Sequence, residues 1–395
     1  MTLAKRRRPL RCCGMLAALL LLVSGCSDTE PAVLQGSPAP HSGESPALPP
    51  AGPPIPAGRL VTLAAVGDVL IHRSLYEDAR KGGSFDFKPM LEAVKEELGA
   101  ADIAVANQES VTGSTALGLS DYPSFNSPQE AADALKEAGI DVVTMANNHA
   151  LDRGEKALRS AIRHWRELGV EYAGVSESEA DRSRLRLVEK NGLRLAFLAY
   201  TEGTNGIASP KGRAYLVHRL EERRMKREIA EARRAADAVI VSLHFGREYE
   251  SLPSPGQRRL ARLAADAGAD LILGHHPHVL QPPEWIDNQR GGRTLVIYSL
   301  GNFLAAQRQP DPRTRIGAIL HAQLWLPAAG ANGVPPALRT RNVRLQTTFI
   351  RFHGWRGFRV VPLAEAGESD LPEAGLVRRN LQAHLQRWMP DLLVR

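Results

Sequence analysis

Six short segments of this 395-residue chain concentrate carboxylates, amides and imidazoles: Gly67-Asp68, Asn107-Gln108-Glu109, Asn147-Asn148-His149, His244, His275-His276-Pro277-His278 and Asn302. Five of the 12 histidines fall within them. Singly, each has a plain structural explanation: a Gly-Asp is usually a turn, and a lone His244 is more often a hydrogen-bonded imidazole than a ligand. Their recurrence in chain order calls for a shared purpose. Side-chain oxygens and imidazole nitrogens drawn from several loops form a mixed set that suits Mn, Fe, Co or Zn. Two such ions about 3.5–4 Å apart clamp the attacking and leaving oxygens of a hydrolytic displacement, and a bridging carboxylate holds them together. Glu109 is the first choice for that bridge.

These segments follow elements that can position them. Apolar runs at 61–66, 102–106, 141–145, 193–200, 238–243, 270–273 and 294–298 read as strands buried on both faces. In an open α/β sheet, ligands gather beyond the carboxyl ends of the strands, and that is where nearly all the metal-competent residues lie. Between the strands, Ser127-Pro128 precedes a helical stretch at 129–138 ended by Gly139, and Ser254-Pro255 precedes one at 256–267 ended by Gly268; both match the cap, Pro and terminal-Gly pattern. Residues 88–98, 154–168 and 216–235 also read as helices. The alternation predicts an α/β layer fold without internal repeats. Beyond residue 326 a Pro/Gly/Ala-rich connection leads to a hairpin at 347–353 and 357–361 and a last helix at 372–388. This tail is short for an independent domain and is assigned to the first one.

With 43% hydrophobic and 24% charged residues, the chain is neither fibrous nor mostly disordered. Its formal charge of +7 is concentrated at the start: Lys5, Arg6, Arg7, Arg8 and Arg11 lie in the first 25 residues, which hold no acid, leaving 45 basic against 43 acidic residues. A nucleic-acid partner is therefore not expected. The apolar run at 15–23 falls short of the about 20 residues that span a bilayer and reads as a signal-peptide core. Val23-Ser24-Gly25-Cys26 resembles the bacterial lipobox, in which the cysteine is lipidated and becomes the mature N-terminus. Processing there removes Cys12 and Cys13 and leaves no thiol for a disulfide or a metal. In that sorting pattern Ser27 implies the outer membrane of a Gram-negative cell, facing the periplasm or the surface. Residues 27–58 hold nine Pro and four Gly in 32 positions, the composition of a tether. The expected organisation is a signal at 1–25, a lipidated Cys and tether at 26–58, a catalytic-type domain at 59–326 and an extension at 327–395 packed on it.

The order of motifs resembles the CapA family of bacterial capsule or poly-γ-glutamate synthesis proteins, a branch of the calcineurin-like metallophosphoesterases. The resemblance rests on Gly67-Asp68, Asn107-Gln108-Glu109-Ser110, Ala146-Asn147-Asn148-His149 through Asp152-Arg153-Gly154, His244 through Glu248-Tyr249, Gly274 through His278 and Gln281, and Tyr298 through Asn302-Phe303. It implies a four-layer α/β/β/α sandwich with one or two divalent metals at one edge. Asp68 would bind one metal, Glu109 would bridge where the superfamily has Asp, and Asn148 would bind the second through its amide oxygen. His244, His276 and His278 would complete the shell, and the neighbouring His149 would stabilise charge or protonate a leaving group. His275 competes with His276, because the superfamily motif places its first His directly after Gly. Asn107, Glu248 and Asn302 are further candidates from the same motifs. The superfamily's opening Asp-x-His would need His where this chain has Leu70, with His72 two residues on.

Three functional classes follow. The leading one is an envelope lipoprotein that uses a metal site to cut or transfer an ester or amide bond of an envelope polymer. The second is a metallophosphoesterase acting on phosphoesters. The third is a catalytically silent accessory subunit whose partner is an anionic envelope polymer or a capsule synthase.

Overall fold

The computed structural model describes residues 57–308, 311–328 and 336–395. The signal segment, Cys26 and nearly all of the tether lie outside the described residues. The described residues all fall in one compact unit, and no helix among them is long and apolar enough to cross a membrane.

Two sheets face each other. The larger runs Arg356–Pro362, Arg339–His353, Ile316–Pro327, Gly58–Leu70, Ile103–Gln108, Val142–Thr144, Glu171–Ala173. Its last four strands are parallel, and its first three pair antiparallel. The smaller runs Glu284–Asp287, Arg293–Ile297, Leu271–His275, Ala238–His244, Leu193–Thr201, Arg186–Lys190. Its inner four strands are parallel and both edges antiparallel.

Alternation along one strand shows how the layers separate. In Ala238–His244, Ala238 and Ile240 pack into the cluster between the sheets with Leu63, Val105, Leu195 and Leu273. Val239, Val241 and Leu243 point the other way, onto Met225, Ile229, Leu260 and Ala264 of the helices Glu222–Ala235 and Pro255–Ala267. The two-residue period thus buries both faces of one strand. On the outside of the larger sheet, Leu91, Val94, Leu135, Leu158 and Trp165 of the helices Lys88–Gly99, Glu130–Glu137 and Gly154–Glu167 form the third cluster. The order helix, sheet, sheet, helix is the expected α/β/β/α sandwich.

The Ser254 signal is realised as a full capping box with Gln257, and Gly268 ends the helix at φ +129°. The stretch expected to be helical from 216 begins instead at Glu222. Before it, the N–H groups of His218 and Leu220 donate to Gly174 and Thr201, and Thr201 N–H donates to His218. These pairings hold residues 217–220 extended until the Glu221 carboxylate accepts the N–H groups of Arg223 and Arg224.

The C-terminal residues contribute to the sheet itself. The hairpin's first arm starts at Arg339 rather than at 347, because pairing with Ile316–Pro327 extends it. The last helix is Ala374–Leu385, shorter than the apolar pattern at 372–388. Leu385, Met389 and Leu392 nevertheless join the core between the sheets.

Candidate metal centre

Asp68 was expected just past its strand, but the strand runs on to Leu70. Parallel pairing of Asp68 with Asn302 extends it, and the register with Ile103–Gln108 slips between Val66 and Asp68. The preceding glycine makes this approach feasible: a Cβ on Gly67 would lie 1.9 Å from Gly301 O, so only Gly fits. Asp68 N–H donates to Gly301 O at 2.9 Å, and Glu109 N–H donates to Val69 O at 3.0 Å. Across the cleft, a Cβ on Gly274 would stand 2.0 Å from Tyr298 O, so the same device seats the histidine turn. In that turn His276 and His278 adopt φ of +98° and +59°, left-handed conformations uncommon for non-glycine residues.

The side chains converge. Asp68, Asn107, Glu109, His244, His275 and His278 are each almost wholly buried. Asn107 Nδ2 donates to Asp68 Oδ1 at 2.8 Å and lies 3.5 Å from His244 Nδ1. Asp68 Oδ2 is 3.1 Å from His278 Nδ1 and accepts the His276 N–H at 3.3 Å. His278 Nδ1 is also 3.0 Å from Asn302 Oδ1, while its Nε2 lies 3.7 Å from Glu109 Oε1. From the other side, His244 Nε2 is 3.5 Å from the same Glu109 oxygen and 2.9 Å from Asn148 Oδ1. The His244 and His276 rings sit 4.8 Å apart.

Two overlapping groups have ligand atoms within 4.8 Å of one another: Asp68, Glu109 and His244, and Glu109, His276 and His278. Glu109 belongs to both. Neither of its carboxylate oxygens has a hydrogen-bond partner among the described residues, although the side chain is fully buried. A buried carboxylate without partners is costly, and a divalent cation between the groups would remove that cost. The donor set is the mixed oxygen and imidazole type that transition ions accept, so these residues fit such an ion.

Electrostatics follow from burial. Desolvation pushes the Glu109 carboxyl well above its ordinary range, with the Asp68 charge adding and His278 opposing. Burial also acts to raise Asp68, but its contacts with His275 and His278 prevail and hold it well below. Burial acts to lower His278, yet the charge of Glu109 and the contact with Asp68 push it up to about 9. Desolvation holds His244 well below its ordinary value and His276 down to about 4, which favours the neutral imidazole that ligates metals.

The other predicted residues are placed as follows. His275 is buried behind Asp68, with Nδ1 3.2 Å from Oδ1; it is His276 that shares a metal-competent group with Glu109. Leu70 belongs to the helix-side core. His72 turns to other partners than Asp68: its Nδ1 lies 2.9 Å from Leu70 O and 3.2 Å from Ala306 N, and its ring packs edge-on against Phe125. Glu248 is exposed and acts on His276 and His278 through its charge. His149 is buried, with Nδ1 2.7 Å from Asp152 Oδ2. Asp152 joins the site only in the structure, although its i,i+3 spacing from His149 is visible in the sequence. Asn205, 57 residues from Asn148, joins it as well, and no local spacing reveals its relation to the cluster.

Fold and site together define an α/β/β/α protein with a histidine–carboxylate cluster at one edge of its sheets. Residues 62–307 match the family described as "Bacterial capsule synthesis protein PGA_cap". The chain is 36% identical over 189 residues to "Capsule biosynthesis protein CapA" of Bacillus anthracis, covering 46% of this chain and 44% of that protein. It is 30% identical over 281 residues to "PGA biosynthesis protein CapA" of Bacillus subtilis, covering 70% and 71%. The chain thus spans less than half of the first relative and about seven-tenths of the second. Among solved structures, Haemophilus influenzae NAD nucleotidase is similar with a TM-score of 0.44 and 11% identity over 86% of this chain and 57% of that one. The chain belongs to the PGA_cap family of bacterial capsule synthesis proteins.

Proposed function

We propose that this chain is a CapA-type cell-envelope lipoprotein, acting in synthesis or processing of a capsule or poly-γ-glutamate type polymer through a divalent-metal hydrolase site. The observation that carries the hydrolase reading is Glu109, buried between His244 and His278 with neither oxygen hydrogen-bonded among the described residues. Asp68, Asn148, His244, His276 and His278 would hold one or two ions with it. A bound ion would supply Lewis acidity to the bond being cut. The protein's own groups do the rest. Asp152 ties His149 Nδ1 and so fixes the ring with Nε2 as the atom that exchanges a proton with the leaving group. The envelope placement rests on the Val23-Ser24-Gly25-Cys26 box and on the capsule-biosynthesis names of the relatives.

Metal analysis of the fragment beginning at Arg59, purified without chelator, tests the site. It is expected to hold at least one transition ion, and a Glu109→Ala variant less. A metal-free fragment that takes up no added Mn, Fe, Co or Zn would instead leave a silent accessory subunit. Given metal, turnover of γ-glutamyl substrates supports the leading reading, and turnover of phosphoesters alone would replace it with a phosphoesterase. For the anchor, Cys26→Ser is expected to abolish fatty-acid labelling, and persistent label would overturn it.

A further inference from the structure

Asn148 can ligate a cation only through Oδ1, since its other terminal atom, Nδ2, is a donor of nearly the same shape. Oδ1 faces the centre, 2.9 Å from His244 Nε2. Nδ2 has one side-chain partner among the described residues, Asn205 Oδ1 at 3.4 Å. The other end of Asn205, its Nδ2, lies 3.4 Å from His149 Nδ1. Asn205 therefore touches both the amide proposed as a ligand and the imidazole proposed as the proton donor.

The loop that carries Asn205 is braced at each side. Arg219 donates to Thr204 Oγ1 and to Ile207 O, at 2.5 and 2.6 Å. Thr204 Oγ1 itself donates to Ile207 O at 2.5 Å. Glu202 N–H donates to His244 O at 3.1 Å, and the Glu202 carboxylate accepts the Gly246 N–H at 2.9 Å. The loop is thereby tied to the strand end bearing His244. Asn205 itself is exposed and left-handed at φ +48°, so it adds nothing to the core. An exposed side chain on a braced loop, aimed at two site residues, serves the site rather than the fold.

We propose that Asn205 is a positioning residue that accepts from Asn148 Nδ2 and so keeps Asn148 Oδ1 turned toward the metal. The inference rests on the metal reading above. Partners of this kind typically change metal affinity about 10- to 100-fold.

The test is Mn²⁺ titration, followed by electron paramagnetic resonance and calorimetry, of the chelator-stripped protein and two variants. Asn205→Gly removes the side chain without straining the positive φ. Asn205→Asp keeps an acceptor for Asn148 Nδ2. The glycine variant is expected to bind Mn²⁺ about tenfold more weakly or worse, with the Tm of the metal-free protein unchanged, and the aspartate variant to recover most of the affinity. Wild-type affinity in the glycine variant would overturn the inference while leaving the metal reading intact. Equal loss in both variants, or a loss accompanied by a lower metal-free Tm, would also overturn it. Wild-type protein that binds no Mn²⁺ at all would overturn the metal reading and the inference with it.

Discussion

Asp152 Oδ2 lies 2.7 Å from His149 Nδ1 and accepts the Phe125 N–H at the same distance. One carboxylate thus orients the imidazole and ties down the loop in front of it, whose Phe125 ring packs edge-on against His149 at 4.7 Å. Arg153, the next residue, reinforces that loop through Leu117 O and Ser120 Oγ.

Replacing Asp152 by Asn keeps an oxygen for Phe125 N–H but removes the charge that favours a proton on His149 Nδ1. Turnover of whichever substrate the protein accepts is expected to fall about 10²- to 10⁴-fold, with metal content unchanged. Metal analysis beside steady-state rates checks this. A parallel loss of metal would show that Asp152 supports the ligand shell instead.

Glu109 is costly without an ion and valuable with one. Glu109→Met, of similar shape but apolar, is expected to stabilise the metal-stripped protein by about 1–3 kcal/mol, the penalty of a buried unsatisfied group. Addition of Mn²⁺ at a hundred times its Kd should then stabilise the wild type by about 2.7 kcal/mol and the variant by much less. Urea titrations with and without metal measure both arms, and parallel curves would refute the idea.

Gly67→Ala places a methyl 1.9 Å from Gly301 O, a backbone atom that cannot swing aside. A loss of stability at or above the upper end of the about 1–3 kcal/mol range for overpacking is expected, together with weaker metal binding. Gly83→Ala is the control, since its φ, like that of Gly67, is not positive and a Cβ there meets nothing. Chemical denaturation of the two variants isolates the clash.

Glu97, on the helix Lys88–Gly99, contacts His321 at 2.8 Å and Arg344 at 3.0 Å. The His321 contact lowers its carboxyl below the ordinary value of 4.5, against the opposing effect of burial and with help from Arg344. A depressed carboxylate stabilises the fold above the unfolded-state pKa and loses that contribution as pH falls through the folded-state value. Glu97→Gln should therefore cost about 0.5–1 kcal/mol at pH 7, and the gap to wild type should begin to narrow as pH falls past about 4.5 and close below the lower folded-state value. A gap that does not narrow at all as the pH falls would mean that Glu97 acts by packing.

Much of the buried polar cluster was legible because chemistry and local spacing coincide. Asp68, Glu109, Asn148 and His244 each adjoin an apolar run that reads as a buried strand, and parallel strands deliver their ends to one edge. The Ser254 cap and the terminal Gly268 were equally legible, since capping is satisfied within a few residues. Other features were hidden by their dependence on distant partners. The strand through Asp68 continues because Asn302, far along the chain, pairs with it on one side and Asn107 on the other, and the helix expected from 216 starts at Glu222 because neighbouring segments claim the intervening N–H groups.

By itself, then, the sequence determined an α/β layer fold and the residue types available for metal chemistry, because alternation, caps and donor atoms are local properties; the four-layer order entered only through the family resemblance. Only the tertiary structure decided which of them meet. It turned His276 rather than His275 toward Glu109, sent His72 to Ala306 instead of Asp68, gave His149 its Asp152, and brought Asn205 against Asn148. Those outcomes depend on backbone register and on which loops the packed sheets bring together, and no spacing along the chain encodes them.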